Sequence, residues 1–329
     1  MDDIPIILDD YLNYLKTVRG LSPATVKEYY YDLRFFFKFI KRRKEVSLRK
    51  NKLEDIDIIE MDEQDLEKVR LQDLHAYLSY SDSEKGDSST TRARKTSSLR
   101  SFYKYLTTTI EVFEKNPAEK LSTPKVKKRN PVYLTLDEAF HLISTAAGQD
   151  NKFFRYRDVA ILVTFLTTGI RLSELCGMNV GSIREDSFNV IGKGNKERTA
   201  YLTDSCKEAL QLYLRVRPIV AGEEALFLSS RKNRMSPRAV QHRIEHFLRE
   251  AGFDTRIYST HKLRHTAATL MYKEGVDIRT LQKILGHASL ATTQIYTHVE
   301  DELARKAVEK NPLSKIDMSE IKEKSKPPA

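Results

Sequence analysis

Apolar residues recur at helical spacing along most of the chain and at strand spacing over one short stretch. Leu8, Tyr11, Leu12 and Leu15 predict a first helix, ended by Gly20. Ser22-Pro23 restarts a helix, with Ser22 as N-cap and Pro23 at the first helical position. Val26, Tyr29, Tyr30, Leu33, Phe36, Phe37 and Ile40 form its apolar side, and it closes in Lys41-Arg42-Arg43-Lys44. Residues 45–65 are polar and irregular. Asp62 or Asp65 caps a helix running through Val69, Leu71, Leu74, Tyr77 and Leu78. Residues 81–89 read as a loop on composition. A fourth helix, Thr91 to Leu106, buries Leu99, Phe102, Tyr103 and Leu106.

Residues 121–131 have a proline near each end, no apolar period and a basic run, which predicts a linker between domains 1–120 and 132–310. Beyond it, Thr135 opens a helix with Asp137 and Glu138 near its positive end. Asp158 to Thr168 is an apolar core helix, interrupted by Gly169 and resumed from Arg171 to Cys176. Phe188–Ile191 and Arg198–Leu202 alternate like strands, and the Gly-containing turn 192–197 joins them as a hairpin. Helices follow over 205–216, 237–251, 261–274, 277–285 and 290–308, then a charged tail, 311–329, expected to be disordered. The fold class is mainly α with a small β-hairpin.

Composition narrows the function. With 40% hydrophobic and 31% charged residues among 329, the chain reads as a globular protein with room for two cores. No apolar run approaches a membrane span and the N-terminus lacks a signal-peptide pattern, so a cytoplasmic location is expected, with no membrane partner. The two cysteines, Cys176 and Cys206, read as inert thiols. A net charge of +10 suits a polyanionic partner without proving one. Arg92, Arg94, Lys95 and Arg100 on the fourth helix admit two readings, an ordinary solvated face or a stripe that contacts DNA phosphates. Lys127, Lys128 and Arg129 in the linker suit DNA contact too.

The histidine pairs His242/His246 and His261/His265 have i, i+4 spacing, but neither carries a His-Glu-x-x-His pattern or a nearby cysteine cluster, so no metal is expected. A lone Tyr296 says little in a chain with 16 tyrosines. Gly192-Lys193-Gly194-Asn195-Lys196 lacks the full phosphate-loop pattern and is followed by strand-like sequence. A lysine on a hairpin tip, able to reach an adjacent site, fits better.

Taken together, the order is informative. Arg171 in Thr168-Gly169-Ile170-Arg171-Leu172-Ser173-Glu174-Leu175, Lys193, His261-x-x-Arg264, Leu285-Gly286-His287 and Tyr296 resemble the catalytic signature of tyrosine recombinases. Gly192 to Arg198 and Thr292 to His298 resemble the bacterial Xer subgroup. Gly20 to Thr25 and Leu99 to Leu106 resemble that family's helical, SAM-like core-binding domain. The resemblance spans about residues 5–310.

It implies a core-binding domain joined to a tyrosine-recombinase catalytic domain. It also implies attack by Tyr296 on a DNA phosphodiester to form a 3′-phosphotyrosyl link. His261 would serve as base, Arg171 and Arg264 as phosphate clamps, His287 as a further donor and Lys193 as acid to the leaving 5′-oxygen. Glu174 is expected to be a structural partner of Arg171. No cofactor, metal or nucleotide is implied. The partners implied are a double-stranded recombination site and a homo- or hetero-tetramer on paired sites, with a paralogous recombinase or a DNA translocase as further candidates. Chromosome-dimer resolution and mobile-element integration both stay open. A type IB topoisomerase-like nicking and religating enzyme and a non-enzymatic DNA-binding protein are the alternatives.

Overall fold

Ser22 does cap a helix: its Oγ accepts from the Thr25 N–H at 3.3 Å, and Pro23 opens the longest helix of the N-terminal unit. The computed structural model describes residues 4–124, 132–191, 197–286 and 293, and the chain divides into two compact units, Met1–Lys128 and Arg129–Ala329. The first contains α1 (Ile6–Thr17), α2 (Pro23–Lys44), α3 (Glu63–Glu67), α4 (Leu71–Ser83) and α5 (Ser89–Thr108). Fully buried aromatic rings from four of these helices, Tyr11, Phe36, Phe37, Tyr77, Phe102 and Tyr103, fill its core.

Three local readings are revised here. Residues 45–65 are more ordered than their polarity suggests. They form two 3₁₀ turns, Val46–Leu48 and Leu53–Asp55, and bury Leu53, Ile56, Ile58 and Met61, whose spacing follows neither a helix nor a strand. The helix expected through Val69 is two helices. Asp62 caps α3 by accepting from the Asp65 N–H at 3.2 Å, and Asp73 opens α4 by accepting from the Arg70 N–H at 3.0 Å. Val69 is buried at the break between them. Leu121, read as the first linker residue, is fully buried in the N-terminal core.

The second unit opens on a reciprocal cap. The Thr135 N–H donates to Glu138 Oε2 at 2.7 Å, and the Glu138 N–H to Thr135 Oγ1 at 3.3 Å. This starts α6 (Leu136–Ala147). Asn151 caps α7 (Lys152–Thr168), which begins earlier than the Asp158 start expected. Ala160, Ile161, Leu162 and Phe165 of α7 are almost wholly buried, and α6 and α9 (Asp204–Val216) pack on it. A hydrophobic helix this buried shows little amphipathic period, so its start is hard to read from spacing.

Between them lie α8 (Leu172–Gly177) and one antiparallel hairpin, β1 (Ser187–Ile191) with β2 (Glu197–Tyr201), in register Ser187 to Tyr201 and Ile191 to Glu197. Then come α10 (Pro237–Glu250), α11 (Thr260–Lys273) and α12 (Ile278–Leu285). Among the described residues the fold is mainly α with this one small sheet, as the spacing predicts. Under α12 lies a small separate core of Ala268, Leu281 and Leu285. The helix expected over 290–308 and the tail 311–329 fall outside the described residues, Thr293 excepted.

Candidate active site

Two helix ends meet at glycines. Gly169 closes α7 at φ 61° and Gly286 closes α12 at φ 62°, left-handed conformations that cost a side chain roughly 1–2 kcal/mol. Space forbids a side chain as well. A Cβ on Gly169 would lie 2.8 Å from Leu285 Cδ2, and one on Gly286 would lie 2.6 Å from Arg198 Cδ. The two corners therefore approach closely, with their carbonyl oxygens turned toward arginines.

Arg264, on the first turns of α11, is only 4% exposed and bridges the corners. Its Nη1 donates to the Gly169 carbonyl and its Nη2 to the Leu285 carbonyl, both at 2.6 Å. Arg171 lies at the start of α8. Its Nη2 donates to the Gly286 carbonyl at 2.7 Å and its Nη1 to Glu174 Oε1 at 2.8 Å. The Arg171 backbone N–H also donates to Glu174 Oε2, at 2.9 Å.

Glu174 is thus the structural partner the sequence suggests, and a third arginine shares it. Arg198 Nη2 donates to Glu174 Oε2 and Arg198 Nη1 to the Ile284 carbonyl, each at 2.7 Å. Burial pushes the Glu174 carboxyl upward. The bonds from Arg198 and Arg171 outweigh that and hold its pKa below the ordinary carboxylate value.

Beside these anchors is a cavity of about 580 Å³, lined by Arg171, Ser173, Gln241, Thr260, His261 and Arg264 among others. His261 opens to solvent at its mouth, with its ring against that of His265, centroids 4.6 Å apart. Partial burial, then the positive charges of Arg264, Lys262 and Arg171, push the His261 pKa below its ordinary 6.5. The cavity wall is otherwise largely apolar, with Phe165, Ile170, Leu172 and Pro237, so an imidazole and two guanidinium groups converge on a poorly screened space that suits an anion held while a proton is moved.

The structure thus brings together Arg171, His261 and Arg264. Lys193, His287 and Tyr296 lie outside the described residues, as do Lys127, Lys128 and Arg129. His287 directly follows the glycine on which Arg171 and Arg198 close. Sequence reasoning missed Arg198: it stands in the quoted Gly192–Arg198 motif, but nothing in that motif's spacing shows what it touches.

The stripe on α5 is less open than its composition suggests. Lys95 is 7% exposed, with Nζ 2.6 Å from Asp87 and 4.6 Å from the Phe35 ring centre. Arg94 pairs with Asp32 at 2.6 Å and Glu28 at 3.0 Å, and Arg92 pairs with Asp82. Arg100 is exposed and makes a side-chain hydrogen bond to Thr123 at 3.2 Å.

A helical N-terminal unit, a second unit with one hairpin among its described residues, and arginines gathered on one cavity fit a protein that handles a phosphate anion. The sequence profile of the phage integrase family matches residues 133–302, and that of the phage integrase N-terminal SAM-like domain matches residues 8–61 and 57–109. The chain belongs to the phage integrase family, within its Xer-like tyrosine recombinases.

The tyrosine recombinase XerC of Caldanaerobacter subterraneus subsp. tengcongensis is 49% identical over 313 residues, covering 94% of this chain and 88% of that protein. XerC of Thermodesulfovibrio yellowstonii is 39% identical over 329 residues, covering 96% of this chain and all (100%) of that protein. The fold is similar to that of the XerH site-specific recombinase in a post-cleavage complex with palindromic difH substrate. The TM-score is 0.68 at 20% identity, over 94% of this chain and 97% of that one. A lambda integrase tetramer bound to a Holliday junction gives a TM-score of 0.64 at 19% identity, over 88% of this chain and 76% of that one.

Proposed function

We propose that this chain is a site-specific DNA recombinase that cuts and rejoins strands through a 3′-phosphotyrosyl link at Tyr296, and that it resolves chromosome dimers in the cytoplasm. The observation that carries the chemistry is the convergence of Arg171, Arg264 and His261 on one cavity. The XerC relatives favour the chromosomal role over mobile-element integration, and the SAM-like unit disfavours a type IB topoisomerase. Among the described residues no helix is long and apolar enough to cross a membrane.

In this reading Arg171 and Arg264 hold the non-bridging oxygens of the scissile phosphate as negative charge grows on them. Removing one such donor typically slows a reaction about 10²–10³-fold. His261 takes the Tyr296 proton, His287 adds a donor, and Lys193 protonates the leaving 5′-oxygen. The covalent link conserves the bond, so a 5′-hydroxyl from a second duplex reverses the step. Two paired duplexes need four cuts, hence four protomers, of one kind or of this chain with a paralogous recombinase.

The test is trapping on a nicked duplex whose cleaved strand diffuses away. A covalent adduct must form without metal or nucleotide and map to Tyr296. An adduct on another residue, or none with any cognate site, overturns the reading.

A depressed His261 pKa sets a pH signature. A base works when deprotonated, so its acid limb follows its own pKa, below 6.5. The cleavage rate at limiting DNA, which reports the free protein, is expected to have its acid limb below the ordinary imidazole range. Lys262→Ala removes one depressing charge and should move the limb upward. A limb at or above 6.5 in the unaltered protein contradicts the assignment.

The α5 cations should separate by role. Lys95→Ala breaks a part-buried pair and should destabilise the N-terminal unit by about 1–3 kcal/mol, read by urea unfolding. Arg100→Ala should leave unfolding unchanged, weaken DNA binding and reduce the salt slope of affinity by roughly one. An exchange of these two outcomes would place the phosphate contact on Lys95.

A further inference from the structure

We propose that Arg198 is a positioning residue for cleavage: by holding the Glu174 carboxylate and the turn at residues 284–286, it keeps the Arg171 guanidinium aimed and charged toward the scissile phosphate. This rests on the recombinase reading above.

The geometry gives Arg198 two grips. One end donates to Glu174 Oε2 and the other to the Ile284 carbonyl, each at 2.7 Å. One acceptor, Glu174, also binds Arg171, and the other lies in the turn that does. Glu174 takes the Arg171 side chain at 2.8 Å and its backbone N–H at 2.9 Å, and Gly286, two residues after Ile284, takes Nη2 at 2.7 Å. Between these grips the Arg198 stem runs so close to Gly286 that a Cβ there would meet Cδ at 2.6 Å and Nε at 2.9 Å. The absence of a side chain at Gly286 is what lets Arg198 pass against the residue on which Arg171 rests.

Charge counting adds a second argument. Glu174 has a side chain only 1% exposed, so water screens it poorly. Paired with Arg171 alone, it would cancel the charge that Arg171 offers to phosphate. Arg198 supplies a second cation to the same carboxylate. The triad of two arginines and one glutamate carries a net positive charge, and that charge is expressed on Arg171, which lines the cavity with its side chain 30% exposed. Arg198 is 13% exposed and is not among the cavity-lining residues, so it acts through Arg171 rather than on the substrate.

Single-turnover cleavage on the nicked duplex, DNA affinity and thermal unfolding test this together. Four proteins are compared: the unaltered chain, Arg198→Ala, Arg171→Ala and the double variant. Arg198→Ala should slow cleavage by roughly 30–100-fold, approaching the loss of a transition-state donor, while DNA affinity changes less than about threefold. In the Arg171→Ala background the same change should cost less than about threefold, because its effect is transmitted by Arg171. Arg198→Lys guards against misfolding. It keeps the cation but cannot span both acceptors, so it should recover part of the unfolding temperature and only a small part of the rate.

Equal slowing with and without Arg171 overturns the proposal. So does a rate near that of the unaltered chain in Arg198→Ala, or full recovery of rate by lysine in step with stability. Failure of the unaltered chain to form any adduct instead overturns the recombinase reading.

Discussion

Tyr296→Phe abolishes the covalent protein–DNA adduct on the nicked duplex and leaves DNA affinity intact. The substitution removes one oxygen and keeps the ring, so packing and phosphate contacts are spared. Phenylalanine offers no oxygen to bond to phosphorus, so a neighbouring base has nothing to activate. At pH 7.5 only about 0.3% of an ordinary tyrosine is ionised, so the reaction depends on proton removal during attack. In the proposed mechanism the pH limb of His261 and the loss at Tyr296 are two views of one transfer. Electrophoresis under denaturing conditions reads the adduct, and filter binding reads affinity. An adduct that survives in Tyr296→Phe assigns the nucleophile elsewhere.

Arg264→Ala carries the next largest effect, on two separate measurements. Cleavage should fall at least about 10³-fold, since in the proposed mechanism the residue joins the phosphate clamp and the structure shows it holding two helix ends together. Stability should fall too. The Gly169 and Leu285 carbonyls both accept from this guanidinium at 2.6 Å, and each buried acceptor left unmet costs about 1–3 kcal/mol. Arg264→Lys separates the two roles. A lysine restores charge but offers a single point of donation, so it cannot bridge two carbonyls on different helix ends. Recovery of unfolding free energy should be partial and recovery of rate small. A lysine variant that cleaves at the unaltered rate would show that charge alone matters at this position.

Local chemistry made much of the fold legible. Ser22-Pro23 marks a helix start because a hydroxyl and a missing N–H both suit that position, and Gly169 marks a helix end because only glycine enters the left-handed region freely. The hairpin followed from alternation around a glycine-containing turn. Where the spacing carries no period, as from Leu53 to Met61, burial is set by partners distant in sequence and the pattern is silent.

Lys95 shows the same limit for charge. Its neighbours on α5 suggest a solvated stripe, yet Asp87 and the Phe35 ring close over it. Asp87 sits in a stretch that composition labels only as loop. At the site, no periodicity joins Arg171, His261 and Arg264. Ordered motifs connected them, and the distances then explained why those motifs contain glycines. Arg198 stayed hidden because its acceptors are a side chain 24 residues upstream and a carbonyl 86 residues downstream.

Three of the oxygens that orient these arginines, on Ile284, Leu285 and Gly286, belong to the main chain. No side-chain exchange at those positions deletes an acceptor; only a change in the path of the chain does. The site is therefore tolerant of drift in the exposed composition of α12 and intolerant of any insertion, deletion or proline that alters its last turn. An evolving lineage can repaint the exposed face of this helix but cannot lengthen it by a residue.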